Sequence, residues 1–188
     1  MEFKPDYEYE KAYWGTCANT FYEDHKHYVY GPLMGLQQEW VYFKLPNITV
    51  LDIGGGPSSL LLKCWGLNKG KVVDPIDYPQ WTKDRYKLVN IDIDLKLGED
   101  IDETGWDEVW IYNCMQHAID PEKIINNAKK AAPVLRIFEW IDIPAHEGHP
   151  WMLTEAELNK WIGKRGEVCE LNGSRGCYGK AYYGKFTH

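Results

Sequence analysis

Long apolar runs, clusters of one charge sign and paired cysteines are all missing from this chain, and each absence removes a class of function. No stretch approaches the ~20 apolar residues of a membrane span. The opening Met1-Glu2-Phe3-Lys4-Pro5-Asp6 lacks the apolar core of a secretory leader. The five cysteines (Cys17, Cys64, Cys114, Cys169, Cys177) are odd in number and contain no C-x-x-C pair. They read as reduced thiols in a cytosol and supply no thiolate pair for a metal, so a cytoplasmic protein with no metal site is expected. No run of Lys or Arg occurs, Lys129-Lys130 and Lys164-Arg165 being isolated pairs, and the net charge is −7. Naked nucleic acid is therefore not the obvious partner. Repeats and low-complexity tracts are absent too. What remains is a single domain of 188 residues, long enough to bury a full core.

Tyr and Trp, by contrast, are abundant, and many fall in the first forty-odd residues. Residues 1–47 read as a helical, aromatic-rich extension. Tyr9, Tyr13 and Trp14 recur at helix-like intervals, and Gly31-Pro32 marks a break. Leu33, Leu36, Trp40 and Phe43 then predict a second helix. Residues 48–188 form the main domain, which opens with an apolar strand from Ile48 to Ile53 and the corner Gly54-Gly55-Gly56-Pro57. Glycines there let the backbone turn sharply and approach a ligand closely. Pro57 suits the first position of a helix expected over Ser58–Trp65, closed by Gly66 and Asn68. The same proline removes an N–H from the turn, and Ser59 stands where a dinucleotide fingerprint has its third glycine. Asp52, two residues before the first glycine, suits a ligand with a cationic head. Further strands are expected at Gly70–Asp74, Lys87–Ile93, Trp106–Tyr112 and Val134–Trp140, with a Pro121–Ala132 helix before the last. A capping box at Thr154 starts a helix to Ile162, and Glu167–Leu171 and Tyr178–Phe186 read as a closing hairpin.

Asp52-x-Gly54-x-Gly56 after an apolar strand resembles the first motif of class I S-adenosylmethionine-dependent methyltransferases, with Ser58 where their pattern carries another glycine. The resemblance covers about residues 48–186. It implies an α/β, single-domain Rossmann-like fold: a mostly parallel seven-stranded sheet, an antiparallel C-terminal hairpin strand and helices on both faces. It also implies S-adenosylmethionine as cofactor and S-adenosylhomocysteine as product. Asp52, Gly54 and Gly56 would hold the cofactor. Asp74, 22 residues beyond Asp52, falls near the ~20-residue offset of a ribose-binding acid. By the same resemblance Glu99 and Asp100, with Asp92 as the alternative, would meet adenine, and Asn113 would meet the methionine end. Tyr13 and Trp14 would contribute from a lid formed by the extension.

Methyl transfer needs the acceptor aligned, and for weak nucleophiles it also needs a base. His117 follows the fourth strand, at the sheet edge where ligands of open α/β sheets bind, and His149 lies beyond the fifth strand on the same edge. These two are the candidate catalytic residues. The amino-methylating DNA signature N/D-P-P-Y/F is absent after the fourth strand, as is the Pro-Cys pair of cytosine C5 enzymes. A small-molecule acceptor, a metabolite or glycan, is the expectation. The alternatives are an RNA or nucleotide methyltransferase using a local basic patch (Lys83, Arg85, Lys87), or a non-catalytic cofactor-binding subunit of a complex.

Overall fold

The strand that ends in three glycines becomes an interior strand of an eight-stranded sheet in the computed structural model, which describes residues 7–146 and 149–188. In chain order the elements are α1 (Tyr7–Trp14), α2 (Cys17–Leu33), β1 (Gln37–Glu39), β2 (Tyr42–Ile53), β3 (Cys64–Val73), α3 (Gln80–Leu88) and β4 (Ile91–Asp94). They continue with β5 (Glu108–Tyr112), α4 (Pro121–Ala131), β6 (Val134–Trp140), α5 (Glu155–Ile162), β7 (Glu167–Asn172) and β8 (Tyr178–Thr187). The order across the sheet is β4-β3-β2-β5-β6-β8-β7, and β1 is an appended strand on β2. Strands β2 to β6 pair in parallel, whereas β8 and β7 run antiparallel at one edge. This is the mostly parallel seven-stranded arrangement expected, with β1 added.

Period-two alternation explains why both faces are covered. Leu51, Ile53, Val109, Ile111, Leu135 and Ile137 point to one face and pack with α4 and α5. Val50, Trp110, Tyr112, Phe138 and Trp140 point to the other, where Tyr30 and Met34 from the α2 segment and Tyr86 of α3 complete the core. The Tyr30 ring stacks on Phe138 with centroids 4.1 Å apart. At the far end of this face Arg136, paired with Glu108 at 2.6 Å, donates to the Met34 carbonyl and ties the end of α2 to the sheet.

Several expected elements are different. The helix over Leu33–Phe43 is instead the antiparallel pair β1–β2, and Gly31-Pro32 lies inside the last turn of α2. Gly35 at φ +76° closes α2, with the Leu36 N–H reaching back to the Gly31 carbonyl at 2.9 Å. Trp40 at φ 59° then turns the hairpin. The helix expected over Ser58–Trp65 is reduced to one 3₁₀ turn, Leu60–Lys63, and β3 starts at Cys64 instead of Gly70. The reason is chemical. Backbone donors that a helix start would leave unpaired are taken by side chains: Ser59 N–H by the Tyr86 hydroxyl and Leu60 N–H by that of Tyr112, both at 2.8 Å, and Leu61 N–H by Ser59 Oγ. The long strand β2 also claims Cys64 and Trp65 as partners for Phe43 and Lys44. The third strand is likewise shorter than Lys87–Ile93, because α3 runs to Leu88 and β4 begins at Ile91. The last four elements, β6, α5, β7 and β8, fall close to their expected bounds, capping box included.

Candidate functional site

The C-terminal ends of β2, β3, β4 and β5 lie side by side, so the loops that leave them share one edge. There they enclose a cleft of about 500 Å³. The glycine corner forms its floor. Gly54 (φ +73°) has no room for a side chain, since a Cβ would come within 2.6 Å of Cys114. At Gly56 (φ +58°) a Cβ would project into the cleft, 3.6 Å from the Tyr78 hydroxyl and 4.0 Å from Asp74 Oδ2. The missing side chain is thus ligand space beside a carboxylate. Asp74 ends the β3 edge and accepts from the N–H groups of Gly56 (3.0 Å) and Ile76 (2.9 Å). Burial pushes its carboxyl up to about 6 against these two bonds.

Asp52 does not line the cleft. It lies fully buried under the corner, where one oxygen accepts from the hydroxyls of Tyr112 (2.5 Å) and Ser59. Its other oxygen has no hydrogen-bond partner, and burial raises the carboxyl to about 7. Tyr86 completes the support by donating to the Gly56 carbonyl at 2.7 Å. Neither tyrosine was singled out from the sequence. The only signal was Tyr112 at a strand end beside Asn113.

Asn113 itself lines the cleft at φ 50°, a left-handed conformation that Asn tolerates better than most residues. Its amide donates to Glu23 of α2 at 3.0 Å. Glu99 also lines the cleft and accepts from Ile119 N–H (2.8 Å) and Asp120 N–H (3.0 Å) just before α4. Asp100 and Asp92 stay outside the lining, and Asp100 is exposed with Lys123 3.7 Å away.

Helix α1 passes over this edge. Tyr7, Tyr9, Glu10 and Trp14 line the cleft, and none of the helix's residues is buried. Tyr13, expected to reach the ligand, does not line it; its ring meets Trp14 edge-on at 4.9 Å. Glu10, missed in the sequence reading, holds α1 to the site. One oxygen accepts the Trp14 indole N–H at 2.9 Å and the other stands 3.3 Å from His117 Nδ1. An acid one helical turn before a tryptophan was the available cue. His117 lines the cleft, whereas His149 stands behind it, with ring centroids 4.6 Å apart. Burial first, then the His117 and His146 charges, lower His149 to about 4, which keeps it neutral. Glu139 is fully buried behind the loop, accepts from the Cys114 and Met115 N–H groups at 3.1 Å, and is raised by burial to about 7. Among the described residues no group of His, Cys, Asp or Glu is arranged to hold a metal ion.

No protein-family model and no curated protein matches the sequence. Solved structures do resemble the fold. A SAM-dependent methyltransferase from Aquifex aeolicus superposes with a TM-score of 0.64 at 19% identity, over 96% of this chain and 98% of that one. The N-methyltransferase NodS from Bradyrhizobium japonicum WM9, solved with S-adenosyl-L-homocysteine, gives 0.63 at 12% identity over 98% of both chains. The mitomycin 7-O-methyltransferase MmcR gives 0.61 at 14% identity, over 97% of this chain and 58% of that one. The fold is therefore the Rossmann-like fold of class I methyltransferases.

Proposed function

We propose that this chain is an S-adenosylmethionine-dependent methyltransferase acting on a small molecule, with helix α1 as the lid of its cleft. The observation that carries the reading is the pairing of Gly56 with Asp74, a glycine whose absent side chain opens ligand space beside a buried strand-end carboxylate. When bound, the cofactor supplies a methyl group made electrophilic by its sulfonium. Asp74 would accept the ribose hydroxyls, Gly54 and Gly56 would let the ligand lie against backbone, and Asn113 and Glu99 would serve the methionine and adenine ends. Asp52 would hold the corner from beneath. Trp14 would close over the ligand from α1, and His117 is the candidate base.

Charge supports the small-molecule acceptor. Among the described residues neither Lys nor Arg lines the cleft, so a polyanion gains nothing from them there. Two of the three residues of the local basic patch are already paired, Lys83 with Asp77 at 2.5 Å and Arg85 with Asp24 at 3.0 Å, which leaves Lys87 exposed. Five free thiols accord with a reducing compartment such as the cytoplasm.

Calorimetric titration with S-adenosylmethionine, S-adenosylhomocysteine and NAD tests the reading. Binding of the first two and not the third is expected, and Asp74→Ala should weaken both. Failure of either sulfur compound to bind would return the chain to a different class, a subunit whose aromatic N-terminal segment serves a partner.

A further inference from the structure

The ionisable groups around the cleft are almost all of one sign. Glu10, Glu23, Asp74 and Glu99 line it. Glu23 is compensated by Lys26 at 3.1 Å. The other three pair with no Lys or Arg of the described residues: Asp74 and Glu99 are met by backbone N–H groups, and Glu10 by the Trp14 indole and His117. Nearby cations sit behind the corner and are spent on Asp24, which takes Lys63 at 2.8 Å and Arg85 at 3.0 Å. A half-enclosed cleft with carboxylate walls concentrates cations and repels carboxylates and phosphates.

We propose that the methyl acceptor is a small primary or secondary amine that enters as its ammonium ion, with Glu10 as its anionic contact and His117 as the group that takes its proton. The inference rests on the methyltransferase reading and names the acceptor class for that same site. An ammonium nitrogen has no lone pair to give, so a carboxylate alone binds it without activating it. The dyad at the lid supplies both functions. Glu10 holds His117 through Nδ1, and the other ring nitrogen receives the proton and passes it to water. The freed nitrogen then forms its bond to the methyl carbon as the carbon–sulfur bond breaks and that electron pair stays on sulfur. The positive charge leaves sulfur and ends on the N-methylated amine, so atoms and charge balance. Tyr7, Tyr9, Trp14 and Tyr78 line the same cleft and suit an acceptor with an aromatic or apolar body.

Three probes with one phenolic body separate charge from shape: tyramine (cation), tyrosol (neutral alcohol) and 4-hydroxyphenylacetate (anion). Each is titrated calorimetrically into protein saturated with S-adenosylhomocysteine, so the readout is binding and not turnover. Tyramine should bind at least about tenfold more tightly than tyrosol, the scale of one hydrogen bond to a charged group, with the anion weakest. In Glu10→Gln, tyramine should lose about tenfold while tyrosol is unchanged. Because α1 buries none of its residues, the substitution leaves the fold intact, which circular dichroism checks. The inference is overturned if the anion binds as well as the amine, if tyramine does not bind, or if Glu10→Gln weakens tyramine and tyrosol equally. Loading with S-adenosylhomocysteine separates the two failures. A loaded protein without amine preference sinks this inference alone, and a protein that will not load sinks the methyltransferase reading and the inference with it.

Discussion

Asp52 carries a stability signature that its position dictates. Burial raises its carboxyl from 3.8 to about 7. Between those values the folded chain binds more protons at this site than the unfolded chain, so its contribution to stability falls as pH rises through the window. Asp74 and Glu139 act with the same sign. His149, lowered to about 4, acts with the opposite one: its neutral form favours the fold above 6.5 and loses that advantage as pH falls toward 4. The difference between Asp52→Asn and its parent cancels these shared terms. The asparagine carbonyl keeps the Ser59 and Tyr112 hydroxyls and does not titrate. Its melting temperature relative to the parent should therefore rise between about pH 4 and about pH 7 and level off above, as thermal melts across that range would record. A pH-independent difference would mean that the Asp52 carboxyl is not desolvated.

At the scale of elements, α1 and α2 make opposite demands, although they adjoin in sequence. No residue of helix α1 is fully buried, so removing residues 1–14 should move the melting temperature by no more than about 2 °C. The same removal takes away Glu10 and Trp14 and should weaken S-adenosylhomocysteine binding by at least about tenfold in calorimetry. Tyr30→Ala in α2 is the contrast: it empties a fully buried ring position against Phe138 and should cost about 3–5 kcal/mol in denaturant unfolding. The sequence made this distinction hard to see. Tyr9, Tyr13, Trp14 and Tyr30 are all aromatics in one polar segment, and only the partner a hundred residues away separates a lid from a core. The central strands β5 and β6 were legible because they are buried on both faces and mostly apolar. The short 3₁₀ turn after the glycines was not, because the tyrosines that satisfy its backbone come from α3 and β5. Asp74 and Gly56 were legible from their spacing. Glu10 became significant only when folding set it beside His117.

For the whole molecule, ligand and fold are linked by mass action. A compound that binds only the folded state at about a hundred times its Kd adds about 2.7 kcal/mol, or about 5–10 °C in melting temperature for a chain of this size. S-adenosylhomocysteine should give that shift in a thermal melt and NAD should give none; equal shifts would point to a nucleotide site without sulfur selectivity. No helix of the described residues is long and apolar enough to cross a membrane.

The helix that covers the β2–β5–β6 face comes from upstream of the strands and not from the loop after the glycines. That order matters on the ribosome. Tyr30 and Met34 are synthesised before any of the sheet they rest on, and Phe138, the ring that Tyr30 stacks against, follows about a hundred residues later. At about 5–20 residues per second, α2 must wait about 5–20 s for its partner to be made. During synthesis this chain holds a cover with nothing yet to close over, and its yield in the cell depends on how well that interval is guarded.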